Sequence, residues 1–209
     1  MSLVVRCRSR MGYSQSWLAV KGKPPTAVLE TLGLRGTGTR EEIAESPIVG
    51  AELPNGWYLV VAGRSGHRLM RDQTLQRLSA GCDVVTGDVE EHVMVSVATG
   101  WKDGQRVWSV THDAQRDMEH LQTEGELPAV FTSIRDRLRS EQQKAGGRKA
   151  DVDYIFDVPV ELAQTLTGYR HDADIPGAGT DPFEVLAETS SSASASTGRP
   201  SFLKRLFGG

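Results

Sequence analysis

Histidines beside carboxylates hold most of the reactive potential of this chain. Its five histidines are His67, His92, His112, His120 and His171. Glu90-Glu91-His92 offers a general acid, a base or a ligand within three positions, and His112-Asp113 repeats the pairing. Drawn into one pocket, Glu91, His92, His112 and Asp113 would make a metal-assisted hydrolase. Strand parity works against that, because neighbours on a strand point to opposite faces. His112 is therefore expected on the core side at the sheet margin, with Asp113 on the other side. Glu91 shares a face with Val93 and is expected at the sheet rim or in a partly buried site, where it could serve as an acid or base.

Other motifs are weaker. No HxxxH or HExxH spacing occurs, so a zinc site would have to draw its ligands from distant segments. Asp151, Asp153 and Asp157, with Glu161 further on, are hard oxygen donors suited to calcium or magnesium. They lack the central glycine and closing glutamate of an EF-hand, and a solvated acidic face with a helix cap is the plainer expectation. No G-x-S-x-G elbow, P-loop or GxGxxG is present, and "GLRGTGTR" has no phosphate-binding lysine. No cofactor is expected. Cys7 and Cys82 are too few and too far apart for a disulfide framework and read as free thiols in a reducing cytoplasm.

These groups must be positioned by alternating strands and helices. "SQSWLAVKG" (14–22) is rich in strand formers, and Pro24-Pro25 then opens a helix ending near Gly33. "GTGTREEIAESP" (36–47) reads as a polar loop. Pro54-Asn55-Gly56 marks a turn between two strands, and "DQTLQRLSAG" (72–81) reads as a short helix capped by Asp72. A strand at "CDVVTGDV" completes the order βαββαβ, that of ferredoxin-like domains. Asp103-Gly104 then suits a type I′ hairpin. A two-residue loop sets Lys102 opposite Gln105, Trp101 opposite Arg106, Thr99 opposite Trp108 and Val97 opposite Val110. That register puts Val93, Val95, Val97, Trp108 and Val110 on the core face. Trp101 and Arg106 at the tip would form either core or an exposed cation–π recognition patch. Two helices follow, one carrying Val130, Phe131, Ile134 and Leu138, the other capped by Asp157 and ended by Gly168. The expected class is α+β, with a mixed or antiparallel sheet covered by helices.

Three stretches, "WLAVKGKPP…VLETLGL", "EEHVMVSVATGWKDGQRVWSVTHDA" and "YIFDVPVELAQTLTGYRHD", resemble uncharacterised bacterial α+β domains, similar to the small immunity proteins that neutralise delivered toxins. The resemblance spans residues 12–172 and implies a binding protein. It carries no functional residues with it.

The remaining sequence divides into an N-terminal extension (1–10), one α+β domain (11–186), a flexible Ser/Ala-rich linker (187–200) and a short basic peptide (201–209). In a helix capped by Ser201, Phe202, Leu203, Leu206 and Phe207 lie on one side, with Lys204 and Arg205 opposite. Burying those four apolar side chains would contribute at most roughly 6–12 kcal/mol. Fixing six backbone residues costs about as much. The peptide needs a second contact, which can be a protein groove, an anionic membrane surface or its own domain. A net charge of −3 argues against a dedicated nucleic-acid binder, and no apolar run reaches membrane-spanning length. The reading that follows is a cytoplasmic, non-catalytic protein-binding module whose C-terminal peptide recruits a partner. The hydrolase and a weak membrane association are the alternatives, and the sequence does not set the oligomeric state.

Overall fold

In a computed structural model, nine strands make one antiparallel sheet with helices on both faces. The structure describes residues 12–189. The expectations for the 1–10 extension and the 201–209 peptide, like most of the linker, lie outside the described residues. The strands are β1 (Ser14–Lys21), β2 (Leu34–Glu41), β3 (Ile48–Glu52), β4 (Tyr58–Ala62), β5 (Asp83–Glu90), β6 (Val95–Lys102), β7 (Gln105–Asp113), β8 (Gln122–Gly125) and β9 (Phe183–Glu188). Their order across the sheet is β2-β9-β3-β4-β1-β5-β6-β7-β8. No helix among the described residues is long and apolar enough to cross a membrane.

Each strand's alternation feeds two cores. On one face Leu18, Val20, Tyr58, Val60, Val84 and Trp101 meet α1 (Pro25–Leu32) and α2 (Asp72–Leu78). On the other, Trp17, Ala19, Leu59, Val61, Ala98, Trp108 and Val110 meet α3 (Phe131–Lys144) and α4 (Asp157–Thr167). A strand buried on both sides reads as a continuous apolar run, which is what "WLAV" and "YLVV" show. Two glycines make room for indoles: a Cβ at Gly87 would lie 2.4 Å from the Trp17 ring, and one at Gly100 would lie 2.1 Å from Trp108 Nε1.

Three sequence expectations are corrected. Of the stretch 36–47 read as a loop, residues 42–47 connect to β3 and residues 36–41 belong to β2, whose exposed Thr, Gly and Arg residues suit a sheet edge. Its partner is β9, nearly 150 residues away, so nothing local announces the pairing. Ala187 and Glu188, read as linker, complete β9. The β6–β7 register is as expected only at the turn, where Lys102 faces Gln105 and Trp101 faces Arg106. A bulge then places Gly100 opposite Trp108 and Ala98 opposite Val110, leaving Val107 as the extra residue. The core face therefore carries Ser96, Ala98 and Gly100, while Val95 and Val97 are half-buried and Val93 is exposed.

Candidate functional site

A cleft of about 670 Å³ opens at the end of the sheet where β1 begins and β9 begins. One wall is the entry to β1, Gly12 to Gln15. Another is the turn between β2 and β3, Glu42 to Ala44. The third is the chain between α4 and β9, from Tyr169 to Phe183. Gly168, at φ 85°, stops α4 and turns the chain across the sheet. Tyr169 then packs edge-on against Trp17, with ring centroids 5.3 Å apart, and its hydroxyl donates to Gln15 Oε1 at 2.9 Å.

Two residues further on, His171 reaches the cleft with its side chain 1% exposed. Its Nε2 lies 3.1 Å from Glu91 Oε1. Glu91 sits one step past β5, where its backbone N–H donates to the Tyr13 carbonyl. Its Oε2 in turn accepts the Tyr13 backbone N–H at 2.8 Å, and the Tyr13 ring stands edge-on to the imidazole at 5.2 Å. A carboxylate only accepts, so Nε2 carries its proton toward Glu91, and in the neutral ring Nδ1 presents a lone pair. Nδ1 is the one buried side-chain polar atom without a hydrogen-bond partner among the described residues. His171 also borders a second void of about 10 Å³, at the lower limit for one water.

Next to it, Arg170 ties the segment down through Asp157 at 2.8 Å and Asp172 at 2.6 Å. Burial opposes the charge on Asp172, but the Arg170 hydrogen bond and positive charge outweigh it and hold that carboxyl below the usual range. Glu42 and Asp174 also line the cleft, and no lysine or arginine does among the described residues.

A second histidine–carboxylate pair lies elsewhere. His112, with its side chain 0% exposed, has Nε2 2.8 Å from Asp153 Oδ2 and Nδ1 2.7 Å from the His120 carbonyl. Asp153 Oδ1 accepts the backbone N–H groups of Ile155 and Phe156 just ahead of α4. Both ring nitrogens of His112 face acceptors. The arrangement is complete only with two protons shared between the ring and Asp153.

Glu91, His92, His112 and Asp113 thus have separate partners. Glu91 holds His171, while His92 is exposed and bonds Glu90 at 2.6 Å. His112 holds Asp153, and Asp113 accepts from Gln115 and pairs with Arg116. In the acidic set, Asp151 is exposed, Asp153 turns inward to His112, and Asp157 pairs with Arg170 at the start of α4 rather than capping it. No group of three or more His, Cys, Asp or Glu side chains among the described residues could hold a metal ion. Trp101 is buried against α1 and α2, its indole N–H donating to Thr99. Arg106 stays exposed and pairs with Glu124 at 3.3 Å. Cys82 is a free, buried thiol, pushed up in pKa by that burial.

The sequence analysis counted His171 among the histidines without giving it a role, and passed over Tyr169 and Gln15. The available signal was Gly168 followed by the polar–aromatic run Tyr169-Arg170-His171-Asp172, a helix stop leading into reactive residues. No protein-family model, curated protein or solved structure matches the chain.

Proposed function

We propose that this protein is a non-catalytic, cytoplasmic protein-binding module whose recognition site is the β1–β9 cleft. The observation that carries the reading is the cleft itself. It combines apolar surface from Ile43, Ile175 and Phe183 with a few polar groups, the usual make-up of a binding site. The 201–209 peptide, with Phe202, Leu203, Lys204, Arg205, Leu206 and Phe207, supplies a second attachment to the same partner. Two weak contacts on one tether reinforce each other. Arg106 adds an exposed cation at the β6–β7 turn, while the burial of Trp101 makes it a support for that turn.

Within this reading the segment β1–α1–β3–β4–α2–β5 is a ferredoxin-like unit. Its support is the neighbour order β5-β1-β4-β3, antiparallel throughout, with α1 and α2 on one face. β2 and β9 extend one edge and β6–β8 the other. Toxin neutralisation in a bacterial cell is the narrower form, in which the partner is encoded beside the gene.

The test is a pull-down with three proteins: full length, Ile43→Arg in the cleft wall, and residues 1–199. Full-length protein retains a partner, Ile43→Arg loses it, and 1–199 retains it about tenfold less well. Identical partner sets for all three proteins would sink the proposal.

A further inference from the structure

We propose that residues 3–10, which lead directly into the β1–β9 cleft, lie in that cleft and cover it until a partner displaces them. The regulatory meaning rests on the cleft being a recognition site, whereas the contact itself does not. The cleft is an apolar groove. Of its lining residues, Ile175 and Phe183 are buried, and Ile43, Ala44 and Ala178 are half-buried. The course of the chain selects the occupant. Gly12, the first described residue, lines the cleft and begins one of its walls. The preceding segment is therefore anchored at the cleft, and Arg6 to Met11 reach at most about 20 Å when extended. The 201–209 peptide, by contrast, departs from the far end of β9, where Glu188 faces Leu34.

The composition of the segment matches the groove. In "LVVRCRSR" (3–10), an extended chain puts Val5 and Cys7 on one face and Arg6, Arg8 and Arg10 on the other. The first face suits the apolar lining. The second suits the charge of the body, since all 27 acidic residues lie within 12–189 and none within 1–11. At the cleft, Glu42 and Asp174 meet the arginines, with no lysine or arginine among the described lining residues to compete. So short a connection holds the segment at about 1 mM effective concentration. A contact with an intrinsic Kd of about 0.1 mM then fills the cleft roughly nine tenths of the time.

Cys7 reports on the contact, because the other thiol, Cys82, is buried. The experiment measures alkylation of Cys7 by iodoacetamide, located by mass spectrometry, in the full chain and in a synthetic peptide of residues 1–11. Cys7 reacts about tenfold more slowly in the full chain, and added salt narrows the gap. Ile43→Arg restores the rate of the peptide, whereas Val152→Arg, exposed and outside the cleft lining, leaves Cys7 slow. Arg6→Ser/Arg8→Ser/Arg10→Ser, which leaves the groove intact, also restores the rate of its matching peptide. An unreacted Cys82 in each variant shows that the fold holds. Equal rates in the full chain and the peptide overturn the inference, as does protection that survives Ile43→Arg. Protection lost on about a hundredfold dilution assigns the contact to a second copy and overturns it too. The recognition reading fails separately. If Cys7 is protected but Ile43→Arg leaves the pulled-down partners unchanged, the cover stands and the proposed function falls. If Cys7 is unprotected while Ile43→Arg loses the partner, the site stands and the cover falls. Where both hold, the triple arginine variant retains the partner about tenfold better than the unaltered chain.

Discussion

His112 and His171 are both buried, and both hold a carboxylate, yet they are opposite cases. Around His112 every polar atom has an answer: Asp153 on one side, the His120 carbonyl on the other, and backbone N–H groups on the far oxygen of Asp153. Around His171 the answer is half complete, with Glu91 on Nε2 and no partner among the described residues on Nδ1. The first pair joins β7 to the start of α4 in the protein interior, whereas the second borders open space. A buried polar network that is fully satisfied rigidifies a core. One left incomplete keeps a buried polar atom unanswered, which costs stability and adds no fastening. The lesson is that a histidine–carboxylate contact alone says little, and the second nitrogen decides.

The comparison can be broken experimentally, most forcefully at His112. His112→Ala strands the Asp153 carboxylate in the interior, and the expected loss is about 3–5 kcal/mol, read from urea unfolding. A loss under about 1 kcal/mol would mean that the pair is not the fastening described above. His171→Ala should cost less, about 1–2 kcal/mol, because Glu91 remains partly exposed and can rehydrate. Equal penalties at the two histidines would erase the distinction.

Asp172, beside His171, gives a pH-dependent test. Its folded pKa is depressed, so its contribution is present above the unfolded value and is lost as pH falls through the folded value. Asp172→Asn should therefore lower stability by less than about 1 kcal/mol at pH 7, since the pair is partly exposed. The deficit should vanish in acid, below the ordinary aspartate range; a gap that persists there would assign it to packing.

His67 is the control and the smallest effect. Burial, then Arg64 and Arg68, lower its pKa, and its Nδ1 accepts the Leu69 N–H. A depressed histidine binds its proton more readily when unfolded, so stability contributed at neutral pH falls as pH drops through about 6.5. His67→Gln should flatten that slope slightly, and an unchanged slope would place the titration elsewhere.

Local features of the fold were legible where sequence neighbours decide them. The continuous apolar runs of β1 and β4, the Gly33 and Gly168 helix stops and the Asp103-Gly104 turn each follow from a few adjacent residues. The bulge at Val107 was not, because it depends on Gly100 making room for Trp108 across the strand pair. β2 and β9 were missed because their pairing joins distant segments of unremarkable composition. Glu91 was singled out, but its partner was not, since the contact with His171 spans 80 residues. His112 was expected toward the core, whereas Asp153 was read as a metal donor or surface charge until the fold turned it inward.

The position of β9 has a consequence for synthesis. Among the described residues β2 hydrogen-bonds to no strand but β9, so residues 34–41 leave the ribosome well before that partner, which ends at residue 188, has emerged. A greasy strand left waiting that long would invite pairing with another nascent chain. "LRGTGTRE", with its glycines, threonines and arginines, is a sequence that can wait in water. What looks from the sequence like a loop is a strand made safe for late arrival of its neighbour.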